Sequence, residues 1–182
     1  MSRLPGVAVV TTLAVAVLAG CATDPPELSG HSLAEFCERP EQFLTDVWHF
    51  PKPVTGEPTF TDKDHPGKVG YGSGCAFAAN GDRIATLGLI REVRGIGEPP
   101  NDADSIYLDD QTVKTWAVDS ATLSFETAMG GWQATITVTS GADLDTREPA
   151  ATDTQMNATA HELIDILAEF KGPDRTPRAC LL

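Results

Sequence analysis

Basic residues are scarce in this chain of 182 residues, which has 13 lysines and arginines against 26 aspartates and glutamates. The formal net charge is −13. Nucleic-acid binding needs Lys and Arg to neutralise phosphates and to release their counterions, so this balance excludes a nucleic-acid partner. The same acidity argues against a body that lies flat on anionic lipid headgroups.

Histidine and cysteine are also rare, with four of each. No two cysteines stand at C-x-x-C spacing, and His31, His49, His65 and His161 are scattered along the chain. Protein metal sites usually gather such ligands at short spacings or bring them together on a rigid scaffold. We therefore predict no metal ion and no cofactor.

One apolar run, from about Val7 to Leu18, follows Arg3 and ends in Leu18-Ala19-Gly20-Cys21. The run is shorter than the ~20 residues of a membrane-spanning helix. A basic start, an apolar core and small residues before the cut describe a secretory signal. A cysteine directly after Leu-Ala-Gly is typical of bacterial lipoprotein signals, in which the thiol takes a diacylglycerol and cleavage leaves that cysteine as the first residue of the mature protein.

This pattern predicts three segments: a signal peptide over residues 1–20, a proline-rich tether over 21–31 and a single domain over 32–182. The lipid on Cys21 would hold the protein at the cell membrane, on its extracytoplasmic face.

Three cysteines remain in the predicted domain, Cys37, Cys75 and Cys180. An exported compartment permits disulfides, so one bridge and one odd thiol are expected. We favour Cys37–Cys75, which joins an early helix to the first strong strand. Cys180, two residues from the C-terminus, is the alternative partner or stays free.

Helices are predicted at both ends of the domain. Ser32 and Glu35 form a capping-box pattern before a short helix, and Pro40 suits the first turn of a second one. A longer helix near the C-terminus, capped by Asn157 or Thr159, follows from an apolar period near 3.6. Its apolar residues are Ala160, Leu163, Ile164, Leu167 and Phe170.

Strands are predicted between these helices. Asn80-Gly81 and Gly130-Gly131 separate apolar runs and are typical hairpin turns. Residues 50–74 lack periodicity and read as a long loop. The predicted fold is α+β: an antiparallel sheet of about five strands with the N-terminal and C-terminal helices packed on one face. The predicted strands are residues 75–78, 84–93, 112–118, 123–128 and 132–138.

Cys21, Cys37 and the strand segment Gly74-Cys75-Ala76-Phe77 together resemble a family, the small actinobacterial cell-envelope lipoproteins of unknown function. The resemblance implies a cell-surface location and an α+β fold, and it assigns no catalytic residue. The position of Cys37 inside a helix and the additional Cys180 depart from the family pattern.

The sequence favours a non-catalytic binding or accessory module for a protein partner or a small apolar ligand. Trp48 and Phe50, two aromatic residues that enter the long loop, are candidates for a cleft mouth. The alternatives are an envelope hydrolase that acts on cell-wall material and a structural surface lipoprotein without a ligand. The hydrolase has as candidate groups Asp62, Asp64, His65 and Glu162, which show no catalytic signature.

Overall fold

The computed structural model describes residues 28–61, 65–70, 72–91, 99–143 and 148–172. The predicted signal peptide, most of the tether with Cys21, and Cys180 lie outside these residues.

The described chain is mostly a seven-stranded antiparallel sheet with strand order β1-β2-β3-β7-β6-β5-β4. A short bent helical segment, α1 and α2, precedes the sheet, and the long helix α3 follows it. The strands are β1 Val54–Phe60, β2 Ser73–Ala79, β3 Asp82–Arg91, β4 Asp104–Leu108, β5 Gln111–Asp119, β6 Thr122–Met129 and β7 Trp132–Thr139. The helices are α1 Leu33–Glu38, α2 Glu41–Asp46 and α3 Asp153–Phe170.

The prediction of an α+β fold with about five strands is therefore wrong. The five predicted strands are present as β2, β3, β5, β6 and β7, but β1 and β4 were missed. Both are edge strands with few fully buried side chains, so neither shows the apolar alternation by which a half-buried strand is recognised. β1 lies within the segment that was predicted to be a loop.

One face of the sheet carries the hydrophobic core. In β7 the side chains of Trp132, Ala134, Ile136 and Val138 are all buried, as the alternation predicted. Helix α3 contacts β6 and β7, and α1 contacts β1 and β2. The two helical parts also meet, because the rings of Phe36 and Phe170 pack edge to face, with their centroids 5.2 Å apart.

The caps of the helices follow the short-range sequence signals. The predicted capping box of α1 is confirmed: Glu35 N–H donates to Ser32 Oγ, and Ser32 N–H donates to the Glu35 carboxylate. These hydrogen bonds with Ser32 lower the pKa of Glu35. Helix α3 begins earlier than predicted, because Thr152 and Gln155 form a second capping box upstream of the apolar stripe.

The predicted hairpin turns are confirmed. Asn80 (φ 52°) and Gly81 (φ 88°) join β2 to β3, and Gly130 (φ 61°) and Gly131 (φ 79°) join β6 to β7. Positive φ at both central residues is the backbone that a two-residue hairpin loop requires, and Asn and Gly tolerate it best.

A disulfide joins Cys37 of α1 to Cys75 of β2, with 5.5 Å between the two Cα atoms. This is the pair that the sequence favoured. In the sequence, β1 lies between α1 and β2. Its Gly56 lies so close to α1 that a Cβ atom at this position would collide with the Cys37 carbonyl oxygen. The bridge and the glycine together hold α1 tightly against the sheet.

Candidate functional site

The two aromatic residues predicted at a cleft mouth belong to the core instead. Trp48 is 7% exposed, and its indole N–H donates to Thr159 Oγ1 of α3 at 3.1 Å. Phe50 is half-buried and packs against the core. A nearby surface groove is lined by Val47 and His49, but by neither of the two aromatics.

Of the four candidate groups of the hydrolase alternative, the structure describes His65 and Glu162. Asp62 and Asp64 lie outside the described residues. Glu162 forms an ion pair with Arg39, which also contacts Glu169 at 3.2 Å. Burial raises the pKa of Glu162, and the neighbouring guanidinium partly opposes this effect.

In the part of the chain that the structure describes, no group of three or more His, Cys, Asp or Glu residues is arranged to hold a metal ion. Within the same residues, no helix has the length and apolarity that a membrane span requires.

The strongest candidate for a binding site is a groove between the N-terminal half of α3 and the region where β4 begins beside β5. We name it the Thr115 groove. Its volume is about 320 Å³, at the lower end of the range for ligand pockets. Its lining residues are Asp104, Thr115, Trp116, Ala117, Leu123, Glu148, Pro149, Ala151 and Met156.

Strand lengths and the start of α3 create this groove. Strand β4 begins at Asp104, which pairs with Thr115, so β5 continues beyond the first residue of its neighbour. The capping box at Thr152 starts α3 early enough to place Met156 among the groove residues. The groove therefore lies between the edge of the sheet and the first turns of α3.

An unpartnered polar atom is buried in the lining of the groove. Thr115 is 2% exposed, and its Oγ1 atom has no hydrogen-bond partner. Buried polar groups are nearly always hydrogen-bonded, because leaving one unpaired costs the free energy of its lost hydration. Trp132 Nε1 and Arg91 Nε are also buried without a partner, but neither residue lines this groove.

The rest of the lining is apolar in its interior and acidic at two positions. Leu123 and Met156 contribute apolar surface, while Asp104 and Glu148 contribute carboxylates on exposed residues. This combination suits a ligand with an apolar body, a group that can hydrogen-bond to Thr115, and a positive charge. It contains no pairing of a nucleophile with a general base.

A second groove, of about 410 Å³, lies beside the contact between α1 and α3. Arg39 and Glu169, which line it, are already paired with each other, and the His31 ring lies 4.8 Å from the Phe170 ring. None of its lining residues has a buried polar atom without a partner. The Arg39 and Glu169 side chains are therefore used within the protein, unlike the Thr115 hydroxyl.

Sequence reasoning did not find the Thr115 groove. Threonine is common in strands, and nothing in the local sequence distinguishes Thr115 from the exposed Thr112. The groove depends on where β4 begins, which is a property of strand pairing.

No protein-family model matches the chain, and no curated protein or solved structure is significantly similar to it.

Proposed function

We propose that this protein is a lipid-anchored bacterial cell-envelope protein that acts as a non-catalytic binding module. The lipid is attached to Cys21, and the Thr115 groove binds an apolar ligand or an apolar side chain of a protein partner. The proposed location is the extracytoplasmic face of the cell membrane.

Two features support export and anchoring. The segment Leu18-Ala19-Gly20-Cys21 follows a basic residue and an apolar run, which is the order of a lipoprotein signal. The disulfide between Cys37 and Cys75 suits an oxidising compartment outside the cytoplasm, because cytosolic thiols are kept reduced.

The buried Thr115 hydroxyl is the observation that carries the binding proposal. A protein gains nothing in stability from an unpaired hydroxyl in its interior, since a valine would occupy the same volume without the cost. A ligand that enters the groove would cover the apolar surface of Leu123 and Met156, and a small displacement of the groove wall would bring it within hydrogen-bond distance of the covered Thr115 hydroxyl.

The proposal is tested with a pair of small probes on the full chain in detergent micelles. Tryptamine has an aromatic body and an ammonium group, whereas indole-3-propionate has the same body and a carboxylate. We expect tryptamine to shift the amide resonances of Thr115 and Leu123 in a titration followed by NMR, and to bind at least tenfold more tightly than indole-3-propionate.

Two variants locate the binding. Ala151→Trp fills the groove and should abolish the shifts, while Thr112→Val, on the same strand but outside the groove, should leave them unchanged. Tryptamine shifts that are absent, or that survive in the filled variant, would refute the Thr115 groove as the binding site.

A further inference from the structure

We infer that the natural occupant of the Thr115 groove is an extended, basic segment of a protein partner, which adds as a strand to the open edge of β5. This inference rests on the proposed function and specifies the partner class for the same site.

The open edge results from a difference in strand length. The pairing of β5 with β4 stops at Thr115, opposite Asp104, but β5 continues to Asp119. Over this stretch, which we name the 116–119 edge, Trp116, Ala117 and Asp119 pair with β6 on one side, and the register shifts at Val118. On the other side, no strand among the described residues pairs with it.

Immediately before β4 the chain forms a turn, so β4 does not extend along the 116–119 edge. Ala103 N–H donates to the carbonyl oxygen of Pro100 at 3.0 Å, which closes a turn directly before Asp104. In an antiparallel sheet, every second residue of an edge directs its N–H and C=O away from its paired neighbour. An extended peptide can accept hydrogen bonds from these N–H groups and donate to these carbonyl oxygens, as in strand addition to other sheet edges.

The 116–119 edge has an irregular register with β6 between Ala117 and Asp119, at Val118, and most of its side chains are exposed. Ala117, Val118 and Asp119 are exposed, and Val118 is 56% exposed although it is apolar. The opposite edge of the sheet, β1, carries Pro58, which cannot donate a ladder hydrogen bond and so blocks strand addition. The edge beside the groove contains neither proline nor lysine.

Charge favours a basic partner over a second copy of this chain. Three exposed aspartates, Asp102, Asp104 and Asp119, lie along or next to the edge, and Glu148 lines the groove. Lys114, on the same strand, already donates to Ser105 Oγ at 2.8 Å. With a net charge of −13, two copies of the chain would repel each other, whereas lysines or arginines of a partner would be attracted.

The groove and the edge lie next to each other, so one segment can use both. Trp116 and Ala117 belong to the edge and also line the groove. Successive side chains of an added strand point to opposite faces of the sheet, so those on the α3 side would reach the groove. A volume of about 320 Å³ accommodates one large apolar side chain, next to the Thr115 hydroxyl.

The test compares two synthetic peptides on the full chain in detergent micelles, acetyl-KTVWVTK-amide and its acidic counterpart acetyl-ETVWVTE-amide. We expect the basic peptide to shift the amide resonances of Ala117 and Val118 and to bind at least tenfold more tightly than the acidic one. Val118→Lys places a charge on the edge and should weaken this binding tenfold or more. Tyr107→Lys, the same kind of change at a 76%-exposed residue of β4, should not affect it.

The outcomes separate this inference from the proposed function. Tryptamine binding in the groove, together with peptides that leave Ala117 and Val118 unshifted, would overturn the inference and leave the binding module intact. Equal binding of both peptides, or the same shifts produced by concentration-dependent dimerisation of the chain, would overturn it as well. Absence of both tryptamine and peptide binding would refute the two proposals together.

Discussion

Two buried threonines of this protein differ in what their hydroxyl groups contact. Thr159 Oγ1 accepts a hydrogen bond from the Trp48 indole at 3.1 Å and donates to the Gln155 carbonyl at 2.7 Å. Thr115 Oγ1 has no partner. The two residues are therefore a matched pair for separating a structural hydroxyl from one that is available to a ligand.

We predict that Thr115→Val raises the free energy of unfolding by about 1 kcal/mol, because it removes an unpaired buried hydroxyl at nearly constant volume. The same substitution should weaken tryptamine binding. Chemical denaturation and the NMR titration measure the two effects on one variant. A variant that is less stable than the wild type would show that the hydroxyl is satisfied within the protein.

Thr159→Val is the control, and it should lower the free energy of unfolding by about 1–3 kcal/mol, since it leaves the buried Trp48 N–H without an acceptor. Tryptamine binding should be unaffected at temperatures where this variant remains folded.

Glu126, on the sheet face opposite the core, has a raised pKa. Partial burial is the main cause, and hydrogen bonds from Gln133 and Thr135 partly oppose it. The folded state therefore binds the proton of this carboxyl more tightly than the unfolded state does. It follows that ionisation of Glu126 reduces stability as the pH rises through the folded pKa.

We predict that Glu126→Gln has nearly the stability of the wild type below the ordinary pKa of glutamate and exceeds it at pH 7. The gain should be small, because the carboxyl is only partly buried and water screens its charge. Denaturation at pH 4 and at pH 7 measures the difference. A gain of the same size at both pH values would show that ionisation is not its cause.

At the scale of elements, the bent segment of α1 and α2 is attached to the sheet by the disulfide and by close backbone packing. Cys37 and Cys75 are both 1% exposed and are separated by 38 residues. We predict that the double variant Cys37→Ala, Cys75→Ala loses about 2–5 kcal/mol of unfolding free energy, because the unfolded chain regains the entropy that the bridge removes. Denaturation under non-reducing conditions tests this, and an unchanged stability would show that the bridge does not form in solution.

Gly56 is the second attachment point between these elements. A methyl group at this position would collide with the Cys37 carbonyl and would lie 2.7 Å from Cε1 of Phe77. We predict that Gly56→Ala lowers the free energy of unfolding by at least about 2 kcal/mol through overpacking. The thermal unfolding midpoint is the readout.

Gly88 of β3 is the matched control, since a Cβ atom there would meet nothing closer than the Thr135 carbonyl oxygen at 4.0 Å. Gly88→Ala should be neutral or should stabilise the protein by about 0.4–1 kcal/mol, because alanine reduces the entropy of the unfolded chain. Equal losses for both variants would argue against a specific contact at Gly56.

At the scale of the whole molecule, the lipid on Cys21 is the proposed link between the acidic domain and the membrane. We predict that Cys21→Ser moves the protein from the membrane fraction to the soluble extracytoplasmic fraction, since no acyl chain can be attached. Fractionation of a bacterial host, with radiolabelled palmitate incorporation as a second readout, measures this. Retention of the variant in the membrane fraction would contradict a lipid anchor.

Signals that act over a few residues were sufficient for several features of this protein. The Ser32–Glu35 capping box and the Asn80-Gly81 turn depend on hydrogen bonds and dihedral preferences between near neighbours, and the structure confirms both. The alternation in β7 likewise reports which face of a half-buried strand is covered. The lipoprotein signal is also a local pattern, and acylation at Cys21 stays a prediction.

Strand pairing decided the rest. β1 and β4 are edge strands with few buried side chains, and hydrogen bonds to β2 and β5 hold them in the sheet. Their sequences therefore lack the apolar alternation from which a strand can be predicted. The burial of Thr115 and the open edge at Val118 follow from the residue at which β4 begins. Such features depend on contacts between distant parts of the chain, and these exist only once the sheet has formed.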